Sequence, residues 1–450
     1  MQLPQQLLDS LHDVPGFDKS AFEAVHNSGE QITSIRLNPF KCKDISQLPP
    51  LGGGGAVSWS QYGYYLSERP SFTFDPLFHA GCYYVQEASS MFLEQALKQT
   101  IDLSKDIKVL DLCAAPGGKS THIQSLISKN SLLVSNEVIK SRAAVLKDNI
   151  IKWGCSNVMV TNNDPKDFSK LKGYFDVIVI DAPCSGSGLF RREPEAMEEW
   201  SVNNVQLCSQ RQQRILADVW PVLKENGILI YSTCSYSIEE DEQIMNWLLS
   251  EFQISNLKLQ IPSATGIIES NGGYRFWPDK VKGEGFFIAC FQKTEDAETI
   301  IPKLKNKTEP VTKKEAEIIG KWIESDEFHF IKNKNIVYAW PKLLADDFAF
   351  LLQHLFVAYS GIIVGELMRD KLVPDHALAM SPFVHATIKR INVDKEQAIN
   401  YLKRKDVNIE AADKGWQLAA YQGYPLGWMN VLANRINNYY PKELRILKDN

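Results

Sequence analysis

Between about residues 105 and 293 the chain repeats short apolar runs, "IKVLDL", "SLLVSNE", "NVMVTNND", "YFDVIVIDAP", "GILIYST" and "GFFIACFQK", most of them separated by stretches of helical periodicity. A continuous Val/Ile/Leu run has no polar face, so each predicts a strand covered on both sides. Helices between such strands supply the crossovers of a parallel, doubly wound α/β sheet. In such sheets ligands sit beyond the carboxyl ends of the strands. The runs end there on Asp111, Glu137, Asp164, Asp181 with Cys184 close behind, and Cys234.

At 450 residues the chain is longer than one ordinary domain. Residues 1–100 are expected to form a mixed α+β N-terminal domain, with a helix near Lys19 to His26 and a strand at "ITSIRLNPF". The doubly wound core takes 101–295. A linker at 296–310 falls in the polar stretch "KLKNKTEPVTKKE", whose linker character extends to Glu315; a middle module covers 311–385 and a last module 386–450. The apolar segment from Phe348 to Met368 is broken by Gln353, His354, Ser360 and Glu366, whereas a membrane span needs roughly 20 almost uninterrupted apolar residues. It reads as a buried helix followed by a short strand, and no membrane contact is expected.

The start, "MQLPQQLLDSLHD", does not read as a secretory leader, and the eight scattered cysteines contain no C-x-x-C pair. No metal site or disulfide framework is expected, and the expected compartment is the cytoplasm. A net charge of -5 argues against indiscriminate coating of nucleic acid. From Ala386 onward, however, eleven Lys/Arg stand against seven Asp/Glu. A local RNA contact there would use that excess.

"VLDLCAAPGGKSTHIQSLI" joins a strand to a helix through small residues, which let the backbone close on a ligand. A P-loop would need glycine where Cys113 stands, and a dinucleotide fingerprint is absent. S-adenosylmethionine fits better. Its positive sulfonium and amino group suit Asp111, its ribose suits Glu137, and its adenine suits Asp164, whereas these acids would repel a triphosphate. For each acid taken singly, a helix cap or turn is the competing explanation.

Cys184 and Cys234 follow adjacent strands in Gly/Ser-rich loops. A thiol placed there, facing a methyl donor, can act as a nucleophile. Carbon 5 of a pyrimidine attacks a sulfonium methyl only after a thiolate has added to carbon 6, and release then requires loss of the carbon 5 proton. Two cysteines and an acid, Asp181 near ring nitrogen 3, suit that chemistry. The chemistry alone leaves open which cysteine attacks. A P-loop ATPase and a catalytically silent RNA-binding assembly factor are the alternatives from other classes.

"GCYYVQEASSM", "DLCAAPGGKS", "SNE", "NND", "DAPCSGSG", "YSTCSYSIEEDE" and "GEGFFIACF" resemble, in sequence order, the NOL1/NOP2/Sun family of RNA cytosine-5 methyltransferases. In layout they resemble its bacterial RsmF type, which acts on small-subunit ribosomal RNA. The resemblance implies a Rossmann-like class I S-adenosylmethionine-dependent core with small C-terminal RNA-binding modules. "VPDHALAMS" and "KGWQLAAYQGYPLGWMNVLANRINNYYPKELRI" resemble those modules, the last a PUA-like β-barrel.

By the same resemblance Cys234 attacks and Cys184 promotes release, the reverse of the order in cytosine-5 DNA methyltransferases. The cofactor contacts carry over to Cys113, Ala114, Ala115, Pro116, Gly117, Gly118, Lys119, Glu137, Asp164 and Asp181. The implied partner is RNA, small-subunit ribosomal RNA or the 30S subunit first and transfer RNA second, bound by a monomer. An unpaired or flipped base needs aromatic or basic surroundings, for which Trp200, Arg191 and Arg192 are candidates. Arg435, Lys442 and Arg445 are candidate RNA contacts of the tail.

Overall fold

The computed structural model describes residues 3–42, 44–47, 53–298, 308–324, 326–407, 409 and 413–448. The central strands are β1 (Lys108–Asp111), β2 (Leu132–Asn136), β3 (Val158–Thr161), β4 (Phe175–Asp181), β5 (Leu223–Thr233) and β6 (Phe286–Lys293). Helices α1 (Gly118–Gln124), α2 (Lys140–Trp153) and α3 (Val202–Val219) connect them. Strands β3, β2, β1, β4 and β5 lie side by side and parallel, with β6 antiparallel beyond β5. The chain winds outward from β1 to β3 and then returns to place β4 on the other side of β1. That reversal is the topological switch point, where the loops after β1 and β4 diverge to leave a crevice. Side chains of both sheet faces are buried, Val109 and Val177 on one and Leu110 and Ile178 on the other, as the apolar runs require.

Ahead of this core, Lys19–Asn27 is a helix capped by Asp18, and Ser34–Leu37 is the middle strand of a small antiparallel sheet. Arg36 of that strand is fully buried. Its guanidinium stacks over Trp153 and donates to Gln86, Ser125, Thr121 and the Gly118 carbonyl, which ties the N-terminal region to the helix behind the small-residue loop.

The segment from Phe348 to Met368 departs from its expected form. It contains the helix Ala345–His354 and then two strands, Val357–Ser360 and Ile362–Met368, instead of one. The first pairs antiparallel with β3 and so extends the core sheet, whereas the second belongs to a separate five-stranded sheet. Gly361 makes the switch. It sits at φ +59°, and a Cβ there would lie 2.4 Å from the Ala339 carbonyl oxygen, so only glycine fits. The Asn163 side chain clamps the Phe356 backbone on both its N–H and its C=O, at 2.9 and 3.0 Å. Each such bond contributes about 0.5–1.5 kcal/mol.

Residues 299–307 of the expected linker lie outside the described residues. Its remainder is structured: Glu309–Pro310 pairs with Lys332 and Ile331, and Thr312 caps the helix Lys313–Ile319 through a capping box with Glu315. The "TKKE" spacing is itself the signal of that cap. The last module carries a four-stranded sheet, Arg390–Val393, Gly415–Tyr421, Tyr424–Val431 and Ile436–Asn438. Arg435, Lys442 and Arg445 are all exposed on it. Among the described residues no helix is long and apolar enough to cross a membrane.

Candidate active site

The register of β4 against β5 pairs Asp181 with Ser232, so both chains leave the sheet side by side. Their cysteines meet just beyond: Cys184 Sγ and Cys234 Sγ lie 3.0 Å apart, and both are free thiols. The hydrogen bond to Cys234, reinforced by burial, pushes the Cys184 thiol well above its ordinary range and holds it neutral.

A shared anchor holds the two loops together. Glu240, fully buried, accepts from the Ser185 N–H at 2.8 Å, the Ser185 hydroxyl at 2.5 Å, the Ser235 hydroxyl at 2.6 Å and the Gln212 amide at 3.2 Å. The Gly188 N–H donates to the Cys234 carbonyl, and a Cβ on Gly188 would stand 2.6 Å from that oxygen. Behind the loop, Arg275 is buried against Glu242 and Asp241 and donates to the Tyr236 carbonyl. The cysteines are therefore set by a rigid polar network and not by flexible loops.

Both thiols open into a cavity of about 630 Å³. Its other side is built by Cys113, Ala115, Glu137, Val138, Ile139, Arg142, Pro165 and Asp181. Glu137 accepts from the Ile139 N–H at 2.9 Å and stands 3.6 Å from Arg142, which itself donates to the Ala115 carbonyl. Val138 and Ile139 are 54% and 49% exposed, unusual for apolar residues beside a strand end. Gly117 caps the start of α1 at φ +114°, where an added Cβ would stand 3.2 Å from Leu146. Of the loop 113–119, Cys113 and Ala115 line the cavity, Ala114 is buried and bonded to the Asn136 carbonyl, and Pro116 is exposed.

Two acids behave differently from their sequence expectation. Asp111 is completely buried, accepts from Ser120 Oγ at 2.6 Å and does not line the cavity, so it cannot meet a sulfonium directly. Asp181 takes the place at the cavity instead. It accepts from Ser232 at 2.8 Å and pairs with Lys119 at 2.8 Å, which also removes Lys119 from any phosphate role. The Asp164 carboxylate caps the 3-10 helix Pro165–Lys170. Among the described residues no cluster of His, Cys, Asp and Glu could hold a metal ion.

Burial, with the nearby charge of Asp181, raises the Asp111 carboxyl to about 7 from 3.8. The folded state then binds its proton where the unfolded state has lost it, so this contribution to stability is full below about pH 4 and is lost as pH rises towards 7. Asp111→Asn removes the titration. The variant is expected to gain in thermal midpoint relative to wild type between about pH 5 and pH 8, as thermal unfolding at several pH values checks. A difference independent of pH would refute this assignment.

The surroundings suggested for a flipped base are also corrected. Trp200 is 7% exposed and packs with Leu7, Phe190 and Val205 in a core cluster that joins the N-terminal helices. Arg191 is buried, donates to the Gly283 and Glu30 carbonyls and faces Glu284, while Arg192 pairs with Glu193. None of the three lines the cavity. Its cations without an ion-pair or hydrogen-bond partner among the described residues are Arg211 and Arg214 on α3, which sequence reasoning passed over; "RQQR" on a helical face was the available signal. Glu240 was likewise missed, although "SIEEDE" directly after the second cysteine was quoted as part of a motif.

The acceptor Glu137, the exposed apolar pair Val138 and Ile139 and the acid Asp181 fit a sugar, a flat base and a positive centre in turn, and the acids oppose a triphosphate. A doubly wound sheet carrying these groups at its switch point defines a Rossmann-like, S-adenosylmethionine-dependent methyltransferase. Comparison with known proteins narrows the class. The 16S rRNA methyltransferase RsmB/F family matches residues 98–292, the N-terminal domain of 16S rRNA methyltransferase RsmF matches 3–88, and the methyltransferase RsmF PUA domain matches 388–446. The ribosomal RNA small subunit methyltransferase F of Aeromonas salmonicida is 31% identical over 93% of this chain and 91% of its own length. That of Psychromonas ingrahamii is 31% identical over 88% and 86%. A methyltransferase homolog protein of Pyrococcus horikoshii superposes with a TM-score of 0.52 at 28% identity, over 65% of this chain and all of that one. The chain belongs to the ribosomal RNA small subunit methyltransferase F family.

Proposed function

We propose that the protein methylates carbon 5 of a cytosine in small-subunit ribosomal RNA, acting as a monomer in the cytoplasm. The observation that carries this reading is the pair of thiols 3.0 Å apart, opening into the same cavity as Glu137 and Asp181. Oxygen and ring-nitrogen acceptors need mainly a base, whereas a pyrimidine carbon needs a nucleophile to activate it.

Bound S-adenosylmethionine supplies a methyl group on a positively charged sulfur. Residues 113–119, Glu137, Asp164 and Asp181 would hold it, with Cys113, Ala115, Glu137 and Asp181 contributing from the cavity wall. The Cys234 thiolate forms a bond to carbon 6 of the cytosine, and the electron pair displaced to carbon 5 takes up the methyl group. The carbon 5 proton then passes to water in the cavity, the ring double bond re-forms and the Cys234 thiolate leaves. Cys184, kept neutral beside it, assists that departure. Asp181, on the cavity wall, orients the base through ring nitrogen 3.

The test is methyl transfer from labelled cofactor to small-subunit ribosomal RNA, followed by digestion and analysis of the nucleosides. Labelled 5-methylcytidine is expected. Label in another nucleoside would sink the carbon 5 reading, and label in transfer RNA alone would replace the substrate.

A further inference from the structure

The cavity's cations fall into two kinds. Arg142 is bonded to the Ala115 carbonyl beside Glu137, and just behind the wall Lys119 is paired with Asp181. Arg211 and Arg214 are exposed, line the same cavity as Cys184 and Cys234, and form no ion pair or hydrogen bond with any described residue. Three positions apart on α3, they lie on one helix face. Between them Gln212 turns inward, donating to the Pro183 carbonyl and to Glu240, so the helix that presents the arginines is braced on the cysteine loops. Two exposed guanidinium groups on the wall of a cavity that elsewhere carries the acids Glu137 and Asp181 make a place for an oxyanion.

We propose that Arg211 and Arg214 bind the phosphodiesters flanking the target nucleotide and so hold it turned towards Cys234. The inference rests on the reading of this protein as an RNA methyltransferase. A base withdrawn from its stack leaves its two flanking phosphates near the pocket, and two guanidinium groups on one helix face match their charge without reading sequence. The other oxyanion that could reach them is the carboxylate of the cofactor's amino acid portion. Exposed arginines on a braced helix can be replaced without opening the core, which keeps the test clean.

The experiment compares the wild type with Arg211→Gln/Arg214→Gln and with Arg211→Lys/Arg214→Lys. RNA binding is followed by fluorescence anisotropy on a small-subunit ribosomal RNA transcript across a salt series, and S-adenosylhomocysteine binding by calorimetry. In the Gln variant RNA affinity is expected to fall by about tenfold or more, with a log–log salt slope shallower by about 1.5 to 2, as for two lost phosphate contacts. The KM for RNA rises, kcat at saturating RNA also falls because the bound target is less often held towards Cys234, and the Lys variant recovers part of the slope. S-adenosylhomocysteine binding is unchanged. An unchanged slope in the Gln variant overturns the clamp, and loss of S-adenosylhomocysteine binding with RNA binding intact reassigns the arginines to the cofactor carboxylate. Absence of RNA binding by the wild type itself overturns the underlying functional reading.

Discussion

Cys234→Ala is expected to lower methyl transfer by about three orders of magnitude or more and to leave no covalent protein–RNA species, because carbon 6 then has no nucleophile. Cys184→Ala is expected to be slow as well, but with the opposite signature: a protein–RNA adduct that survives a denaturing gel. The distinction follows the family resemblance, in which Cys234 attacks and Cys184 promotes release; Cys184 Sγ, 3.0 Å from Cys234 Sγ, is near enough to act on the leaving thiolate. Trapping in Cys234→Ala and none in Cys184→Ala would reverse the roles, as in the DNA enzymes. The double variant is expected to be no worse than Cys234→Ala alone, since residues that act as a unit are strongly non-additive.

Glu240→Ala should have the next largest effect. The substitution leaves the Ser185 N–H, two serine hydroxyls and the Gln212 amide without their acceptor in a fully buried place. A stability loss of about 3–5 kcal/mol follows from stranding buried polar groups, read as a lowered urea midpoint. Activity per folded molecule should also fall, by about 100-fold, because the two cysteine loops lose their common anchor and small displacements of a nucleophile are costly. Glu240→Gln keeps one acceptor oxygen and should recover much of the stability and part of kcat. If Glu240→Ala unfolds at a lower urea concentration yet the folded fraction turns over normally, Glu240 supports the fold and does not position the thiols.

The strands, their order along the chain and the residues at their ends were legible without a structure, because burial on both faces leaves a continuous apolar run and strand ends must be polar. The cysteines and acids of the site were found in that way. What could not be read was which strand end faces which. Asp111 and Asp181 look alike in sequence, both ending an apolar strand, yet the first is sealed beneath the loop and the second opens on the cavity. Trp200 and Arg191 look like pocket residues and are core, because the N-terminal helices cover them. The edge strand Val357–Ser360 joins a sheet whose nearest strand lies some 200 residues earlier, a pairing that no local pattern encodes. Periodicity and composition report each residue's own degree of burial. The 3.0 Å between two thiols fifty residues apart is set by the register of β4 on β5 and by Glu240 between their loops, and only tertiary packing decides such long-range coincidences.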